Sequence, residues 1–361
     1  MMTQQILKRE ETEENSDSPF LLNIGFVMTY RCPIACPHCI LKAGPHRHEE
    51  MAREDILEWL GQASAYNGGQ ILSACFTGGE PFYDREKLEE ASAHAASQGM
   101  ISTVVTNGFW ATSHERAREI LETLPELKAI SVSTDHHHLT QLPFEYVRNA
   151  LLAAKERGLF YFANVCTENV NDPEYIQVRQ WLEQIIGSER ITTVITFPVG
   201  RAKQTIDTAA YEVTDIPPAG ACTTASTPTV FPDGKVTACL GPVIDLCEPH
   251  PLLLGNVKEQ LLKQILDRAE MNPVLHILRL WGPAHLMTLL RERGYTGELP
   301  EHFVKGSICD LCYALMADSK IREALTDLAT DAELMKKVAY ARVYYLNERR
   351  MIEMIETSGT L

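Results

Sequence analysis

Residues 21–39 read LLNIGFVMTYRCPIACPHC, a stretch that joins a strand pattern directly to a group of thiols. The apolar run Leu21–Met28 has the length and composition of a buried strand. Three cysteines follow within eight residues, at Cys32, Cys36 and Cys39. Pro33 and Pro37 disfavour a regular helix through them, so we expect a loop. Thiolates are preferred ligands of iron–sulfur clusters, and three of them leave one iron of a four-iron cluster open.

Short apolar runs alternate with amphipathic helical patterns up to residue 200. The predicted strands are Leu21–Met28, Ile71–Phe76, Ser102–Thr106, Ala129–Ser133, Phe160–Val165 and Ile191–Phe197. The predicted helices between them are Arg53–Ala65, Arg85–Gln98, Ser113–Leu124, Pro143–Arg157 and Pro173–Ile186. This order predicts right-handed crossovers and a parallel sheet, either a partial barrel or an open doubly wound sheet. In both architectures, ligands bind at the carboxyl ends of the strands.

Residues with chemical potential follow four successive strands. After strands one to four come, in order, Cys32, Gly78-Gly79-Glu80, Asn107 and Asp135. Because the carboxyl ends of parallel strands meet at one edge of a sheet, we expect these residues to converge on one site.

The composition narrows the possible partners and compartment. A formal net charge of -15 argues against a nucleic-acid backbone or an anionic membrane as the main partner. We see no signal-peptide core and no apolar run of the ~18 residues a membrane span needs, so we expect a cytoplasmic protein. The chain has ten cysteines, and in a reducing compartment clustered cysteines hold metal more often than they form disulfides.

The spacing Cys-x-x-x-Cys-x-x-Cys after a first strand resembles the radical S-adenosylmethionine (SAM) superfamily. The segment 77–81 (TGGEP) is similar to that family's glycine-rich motif, in which backbone groups and the Glu meet the SAM amino group. Residues 131–135 resemble its strand-4 ribose-contacting motif, and residues 197–202 resemble the strand-6 end near the adenine and carboxylate. The cofactor-binding residues that this resemblance implies are His38, Thr77, Gly78, Gly79, Glu80, Asn107, Ser133, Asp135, Pro198, Gly200 and Arg201.

The resemblance, which covers about residues 21–202, also implies the chemistry. The three cysteines of the first motif hold a [4Fe-4S] cluster, and the SAM amino and carboxylate groups chelate its open iron. Reduction of SAM then gives methionine and a 5′-deoxyadenosyl radical, which takes a hydrogen atom from the substrate. A structural zinc loop is the alternative for these cysteines. Zinc prefers four ligands, and the fourth would come from His38, His46 or His48.

A second group of cysteines lies in the other half of the chain. Its spacing, with a glycine-containing hairpin between the first two ligands, resembles the auxiliary-cluster pattern of the SPASM/twitch branch of that superfamily. The implied ligands are Cys222, Cys239, Cys309 and Cys312. Further cysteines of the full SPASM form are missing after these, so the resemblance implies the shorter twitch form with one auxiliary [4Fe-4S] cluster. A zinc ribbon is the alternative.

The hairpin itself is predicted over Thr229–Cys239, with the Asp233-Gly234 pair in its turn. A fully ligated auxiliary cluster has no free iron for substrate, so we expect it to transfer electrons and to favour a net oxidation. Cys247 could compete as a ligand. Cys75 and Cys166 lie in or beside strand patterns and are interpreted as small buried side chains.

Asp135 is followed by three histidines, His136-His137-His138. In an extended chain they cannot all face one metal ion, because successive side chains alternate faces. We expect one or two of them to face the cavity as substrate contacts or proton carriers.

We therefore predict an α/β protein: a partial (β/α)6 TIM-like barrel, a small twitch-type auxiliary-cluster domain and C-terminal helices. The predicted segments are a flexible tail over 1–20, the radical SAM core over 21–203, the auxiliary domain over 204–320 and C-terminal helices over 321–361.

Two substrate classes stay open. A ribosomally made peptide would be crosslinked, epimerised or otherwise oxidised. A small metabolite such as an alcohol or amino sugar would lose two electrons. Only about 20 residues precede the first strand in this sequence, so we expect no separate peptide-recognition domain there, which weakens the peptide hypothesis. Many twitch and SPASM members act on peptides, so the peptide is narrowly favoured. An electron donor such as flavodoxin or ferredoxin is expected as a partner. The non-enzyme alternative is an iron–sulfur electron carrier or a zinc scaffold.

Overall fold

Six parallel strands alternate with helices in the first half of the chain. The computed structural model describes residues 19–328 and 330–352. The strands are β1 (Asn23–Thr29), β2 (Ser73–Gly78), β3 (Ile101–Thr106), β4 (Leu127–Ser133), β5 (Phe160–Thr167) and β6 (Ile191–Ile195). The intervening helices are α1 (Arg53–Ser64), α2 (Arg85–Ser97), α3 (His114–Glu122), α4 (His136–Leu139), α5 (Phe144–Glu156) and α6 (Pro173–Ile186). Each predicted strand and each predicted helix of this half is present, with ends shifted by a few residues.

Local chemistry explains where these helices begin. Ser113 precedes α3, and its hydroxyl accepts a hydrogen bond from the Arg116 amide at 3.1 Å. Asp172 precedes α6 in the same way, and Pro173 occupies the first helical position, where its missing N–H costs nothing. The helices bury one face against the sheet: on α6 the buried face carries Tyr175, Val178, Leu182 and Ile186.

The six strands lie side by side in chain order, from β1 to β6, and each neighbouring pair is parallel. This is the arrangement of a partial (β/α)6 barrel, so the predicted fold class is confirmed. All six carboxyl ends therefore face the same side of the molecule, where the loops after the strands meet.

The predicted hairpin is present as β8 (Thr229–Val230) and β9 (Lys235–Thr237), which follow the short β7 (Val213–Thr214). It does not stand apart from the barrel. β8 pairs in parallel with β1, matching Gly25 to Thr229, and β10 (Leu253–Asn256) continues the sheet beyond β9. The second half of the chain thus adds three strands to the β1 side of the same sheet.

Residues 204–228 contain a strand that we did not predict. After a short helix α7 (Ala202–Thr205), β7 pairs antiparallel with β11 (Phe303–Val304), which lies just before the Cys-x-x-Cys segment. A two-residue strand gives no periodic signal, so only the partner from the far end of the chain reveals it.

Helices fill the rest of the described chain: α8 (Leu262–Glu270), α9 (Pro273–Trp281), α10 (Pro283–Glu292), α11 (Ile308–Ala317), α12 (Ser319–Leu328) and α13 (Ala332–Leu346). The predicted flexible tail lies mostly outside the described residues. Its last residue, Phe20, does not belong to a flexible tail. The Phe20 side chain is buried, and its ring packs edge-on against His276 with a centroid distance of 4.7 Å. In the described ranges no helix has both the length and the apolar character needed to cross a membrane.

Candidate active site

The loops after the barrel strands enclose one cavity that contains all three cysteines of the first motif. Of the residues predicted to bind cluster or cofactor, those that line it are Cys32, Cys36, His38, Cys39, Thr77, Gly78, Gly79, Asn107 and Ser133. Predicted residues outside its lining are Glu80, Asp135, Pro198, Gly200 and Arg201. These five residues lie close to the cavity, and four of them (Glu80, Asp135, Gly200 and Arg201) hold lining residues in place.

The cysteine loop is fastened to the end of β6 by Arg201. Its guanidinium donates to the carbonyl oxygen of Cys36 at 2.6 Å and to that of Ala43 at 2.5 Å. Its backbone amide also donates to the Cys39 carbonyl at 3.1 Å. Arg201 thus fixes the loop at three points, with its charged group turned to backbone carbonyls.

Gly200 allows this contact because it has no side chain. Its φ is +64°, and a Cβ there would lie 2.8 Å from the Cα of Ile40. Glycine is the only amino acid that adopts this backbone conformation and also leaves room for so close an approach. Pro198 lies just before it, and the cavity wall in this region is formed by Thr196 and Phe197 instead.

The glycine-rich loop after β2 packs directly on the segment that leads into the cysteines. A Cβ on Gly79 would lie 2.3 Å from the Arg31 carbonyl oxygen, and the Gly79 amide donates to the Thr29 carbonyl at 2.6 Å. The backbone of this loop therefore borders the cavity without side chains in between, as the motif predicts for a ligand held by main-chain groups.

Glu80, expected to meet the SAM amino group, is completely buried and points into the protein. Its carboxylate accepts hydrogen bonds from the Thr106 hydroxyl at 2.8 Å, the Asn107 amide at 2.8 Å and the Phe82 amide at 3.1 Å. Burial raises its pKa to about 7, although these three donors act in the opposite direction. In this arrangement Glu80 joins the ends of β2 and β3 and fixes the position of Asn107.

Asn107 is the link from that network to the cysteines. Its side-chain amide donates to the Cys32 sulfur at 3.4 Å, and both residues are buried. Burial raises the pKa of the Cys32 and Cys39 thiols, so thiolates at these positions need a positive partner such as iron.

Asp135 caps the short helix α4 and binds two histidines that line the cavity. One carboxylate oxygen lies 2.8 Å from His138 Nδ1 and 3.3 Å from His38 Nε2. Burial opposes ionisation of Asp135, but the His138 charge, its hydrogen bonds and His38 hold the pKa of the carboxyl well below its usual range. Asp135, expected at the SAM ribose, lies outside the cavity lining and contacts these two rings.

His38 brings an unused polar atom to the cavity wall. Burial lowers its pKa to about 4, with Asp135 acting in the opposite direction, so the ring is neutral near pH 7. Its Nδ1 is buried and has no hydrogen-bond partner among the described residues. Such an atom suits a ligand that brings its own donor or acceptor.

The three-histidine segment forms a helical turn rather than the extended chain assumed from the sequence. His138 lines the cavity, as expected for one or two of the three. His136 and His137 turn the other way, toward Glu168 at the end of β5.

Two residues that line the cavity, Cys166 and Leu240, were not predicted from the sequence. Cys166 on β5, interpreted as a small core side chain, borders the cavity, and so does Leu240, which follows the hairpin of the second half. The alternation of β5 could have pointed to Cys166, but no local signal brings Leu240 to the barrel.

The second cysteine set converges as well. Cys222, Cys239, Cys309 and Cys312 line one small, largely apolar cavity between the hairpin and α11. Burial, and then the negative charges of the neighbouring thiols, raise the pKa of Cys239 and Cys309 to about 12. Cys247 is exposed and does not line this cavity.

The spacing of the thiols separates the two metal alternatives. Within the described ranges, three or more potential ligand atoms lie within 4.8 Å of one another only at His38–Asp135–Cys166 and at His136–His137–Glu168. Zinc–sulfur bonds of about 2.3 Å place the sulfurs of a tetrahedral site only about 3.8 Å apart. In the part of the chain that the structure describes, no three thiols of either set lie within 4.8 Å of one another, a spacing that suits an iron–sulfur cluster better than a zinc ion.

Residues 26–182, the barrel segment that carries the first cysteine motif and the glycine-rich loop, match the sequence model described as "Radical SAM superfamily". Residues 26–182 therefore form a radical SAM domain, and the chain is an enzyme with such a domain. That family implies SAM and a [4Fe-4S] cluster as cofactors.

Known proteins are similar to this chain over different lengths. A Bacillus subtilis (strain 168) protein described as "Putative peptide biosynthesis protein YydG" is 24% identical over 290 residues, covering 79% of this chain and 89% of the relative. The "PqqA peptide cyclase" of Xanthomonas euvesicatoria pv. vesicatoria (strain 85-10) is 38% identical over 96 residues, covering 26% of this chain and 24% of the cyclase. A solved structure, "Crystal structure of BtrN in complex with AdoMet and 2-DOIA", matches with a TM-score of 0.43 and 14% identity, covering 73% of this chain and 89% of that chain.

Proposed function

We propose that Cys32, Cys36 and Cys39 bind the [4Fe-4S] cluster and that the cavity beside them holds SAM for reductive cleavage. The observation that carries this proposal is the shared cavity: the three cysteines line it together with the glycine-rich loop at the carboxyl ends of parallel strands. When bound, the cluster supplies the electron that splits SAM into methionine and the 5′-deoxyadenosyl radical.

The residues of the cavity wall divide the binding of SAM between them. The bare backbone of Gly78 and Gly79 suits the amino and carboxylate end of the methionine moiety, with Thr77 beside it. Ser133 and Asn107 offer a hydroxyl and an amide to the ribose. The neutral ring of His38, with its unused Nδ1, suits the adenine.

The predicted residues outside the lining act by positioning. Arg201 and Gly200 fix the cysteine loop, Glu80 fixes Asn107, and Asp135 orients His38. The hydrogen bonds and close contacts of these residues support such positioning roles.

We propose an auxiliary [4Fe-4S] cluster on the second cysteine set, within a domain that spans 204–320 after a core of 21–203 and before helices of 321–361. Four thiols around one apolar cavity suit a cluster with no open iron. Leu240 supports a role in electron transfer from the active site, because it follows the auxiliary ligand Cys239 by one residue and lines the SAM cavity. The set corresponds to the twitch pattern.

We propose a ribosomally made peptide as the substrate and its oxidative modification as the outcome. The names of two relatives support this: a peptide biosynthesis protein that aligns over most of both chains, and a peptide cyclase that aligns over part of the barrel. In this proposal Cys32, Cys36 and Cys39 would hold the cluster that an electron donor of the flavodoxin or ferredoxin type reduces. Cys222, Cys239, Cys309 and Cys312 would hold a cluster suited to take the electron that the substrate radical loses together with a proton. Reduced thiols at both sites suit the cytoplasm.

The substrate experiment uses the full chain, reconstituted with iron and sulfide without oxygen. SAM and dithionite are added with size-separated fractions of an extract of the host, and 5′-deoxyadenosine is quantified by mass spectrometry. We expect a peptide-sized fraction to raise its formation and to contain a peptide whose mass falls by two hydrogens. Stimulation by the metabolite fraction alone would replace the peptide with a small-molecule substrate. The Cys36→Ala variant is the control for each fraction.

A further inference from the structure

We propose that His136, His137 and Glu168 form a binding site for a divalent transition-metal ion of the zinc type, separate from both cysteine sets. Among the described residues, this is a group of three potential ligands that lie within 4.8 Å of one another and include two imidazoles.

The fold brings the three residues together at the ends of two neighbouring strands. His136 and His137 open α4, with two residues between them and the end of β4 at Ser133, and Glu168 directly follows β5. β4 and β5 are parallel neighbours, with Ser133 paired to Asn164. The ligands are thus held by adjacent elements of the rigid sheet.

The distances match the size of a metal ion. Glu168 Oε1 lies 3.0 Å from His137 Nε2, and Glu168 Oε2 lies 3.8 Å from His136 Nε2. Bonds of about 2.1 Å to zinc place the ligand atoms of a tetrahedral site about 3.4 Å apart. The two distances involve different oxygens of the same carboxylate and lie on either side of that value, so small side-chain movements let one ion bind both imidazoles and the carboxylate.

The ligand set suits zinc and similar divalent ions, because imidazole nitrogen and carboxylate oxygen are ligands that such ions share. A net charge of -1 on Glu168, with two imidazoles that bind through neutral nitrogen, leaves a positively charged site with a bound ion. The side chains are 18%, 14% and 9% exposed in the order His136, His137 and Glu168, so water competes little for the ion.

Without an ion, neither ring nitrogen of His136 has a hydrogen-bond partner among the described residues. Its Nε2 is too far from Glu168 for a hydrogen bond, and its buried Nδ1 has no hydrogen-bond partner in the described part of the chain. Its ring also lies against that of His137, with 3.7 Å between the centroids. An ion shared between the two Nε2 atoms gives His136 a partner and a reason for this close pairing.

Three protein ligands leave at least one coordination position for water or for a group from a bound molecule. The site is close to the SAM cavity, since the His137 ring stacks on His38 at a centroid distance of 4.9 Å and His38 lines that cavity. A substrate carrying a carboxylate, imidazole or thiol is the class of molecule that such an ion would hold there.

The test measures metal rather than turnover, so its result does not depend on the proposed substrate. Cluster-loaded protein is equilibrated with zinc chloride, freed of loose metal with a chelator, and analysed for zinc and iron by mass spectrometry. We expect the wild type to retain about one zinc per chain more than Glu168→Gln or His136→Ala. His114→Ala is the matched control, because His114 forms an exposed pair with Glu156 at 3.0 Å; it should retain zinc like the wild type. Iron content should be equal in all four proteins.

Equal zinc in the wild type and Glu168→Gln, or no retained zinc in the wild type, overturns the site. If the two variants fail to fold, cobalt titration of the wild type decides. Visible d–d bands without a sulfur charge-transfer band support the His–Glu site. A sulfur band, or no bands, contradicts it.

Discussion

The two cysteine sets are built in opposite ways. Cys32, Cys36 and Cys39 lie in one loop at the mouth of the barrel. The cavity beside them is lined by the ends of five strands, β2 to β6. The four auxiliary cysteines come from three separate segments that meet around a small apolar cavity. Three ligands beside an open cavity suit binding and cleavage of a cofactor, whereas four ligands in a closed one suit passage of electrons.

The largest expected effect comes from breaking the closed set. Cys312→Ser should lose ~4 irons per chain, because one cluster loses a ligand, while SAM cleavage continues from the first cluster. The modified peptide should fall at least ~100-fold, because oxidation of the substrate radical lacks its acceptor. Iron analysis and quantification of both products test this together.

Cys247→Ser is the matched control, since this exposed thiol lies outside the auxiliary cavity. Its iron content and products should equal those of the wild type. Loss of iron in Cys247→Ser but not in Cys312→Ser would show that Cys247, and not Cys312, is a ligand of the auxiliary cluster.

The next largest effect is expected from Gly200, whose replacement should disturb the first cysteine set alone. Gly200→Ala places a Cβ 2.8 Å from Ile40 and should displace the cysteine loop, lowering SAM cleavage by up to about 100-fold. The auxiliary cluster should remain intact in this variant. Electron paramagnetic resonance of the reduced protein, with and without SAM, distinguishes the two clusters.

Gly99→Ala controls for backbone strain. Gly99 has φ of +78° with nothing within 4 Å of its would-be Cβ, so it bears the ~1–2 kcal/mol conformational cost alone. If Gly99→Ala impairs SAM cleavage as much as Gly200→Ala, the contact with the cysteine loop is not the cause.

A smaller effect concerns Glu80. Glu80→Gln puts an amide where the carboxylate accepts from three donors, and one buried donor loses its acceptor at a cost of about 1–3 kcal/mol in the free energy of unfolding. Thermal unfolding of the SAM-free protein measures it, with the exposed Glu89→Gln as the control. An unchanged melting temperature in Glu80→Gln would contradict the role of Glu80 in holding β2 to β3.

The same residue gives a pH dependence. The folded-state pKa of Glu80, raised to about 7 by burial, means that the folded protein holds this proton more strongly than the unfolded chain does. Its contribution to stability is complete at pH below the unfolded pKa and falls as pH rises to about 7. The stability difference between wild type and Glu80→Gln should therefore shrink over that range and stay constant above it.

The smallest expected effect is a shift in the midpoint potential of the first cluster. Asn107→Ala removes the donor to the Cys32 sulfur, which should lower the midpoint potential of the first cluster on the order of tens of millivolts. Redox titration without SAM measures it, and the auxiliary cluster in the same sample serves as the internal standard. A shift of both potentials, or of neither, would contradict a local hydrogen bond.

The comparison also explains how much the sequence could predict. Strand periodicity predicted the alternating strands and helices of a parallel sheet, and a motif within eight residues predicted the cysteine loop, because both are local signals. The choice of a barrel over an open sheet came from the resemblance to the radical SAM superfamily. The pairing of Thr229 with Gly25 and the two-residue pair β7–β11 were not predicted, since they join distant segments without a periodic pattern.

The same reasoning applies to individual site residues. The resemblance assigns the charged groups of Arg201, Glu80 and Asp135 to the cofactor, and the structure pairs each of these groups with a donor or acceptor on another loop. Those partners depend on the three-dimensional convergence of the loops. The pairing of His136 and His137 with Glu168 likewise depends on a helical turn that the three-histidine sequence did not predict.

The central claim is that the open cysteine set cleaves SAM. The direct measurement is anaerobic formation of 5′-deoxyadenosine from SAM and dithionite by the reconstituted wild type, next to Cys36→Ala prepared in the same way. We expect the wild type to form 5′-deoxyadenosine and methionine in equal amounts, and Cys36→Ala to form neither while it keeps its auxiliary iron. Equal formation by both proteins, or none by a wild type that contains both clusters, would contradict the account.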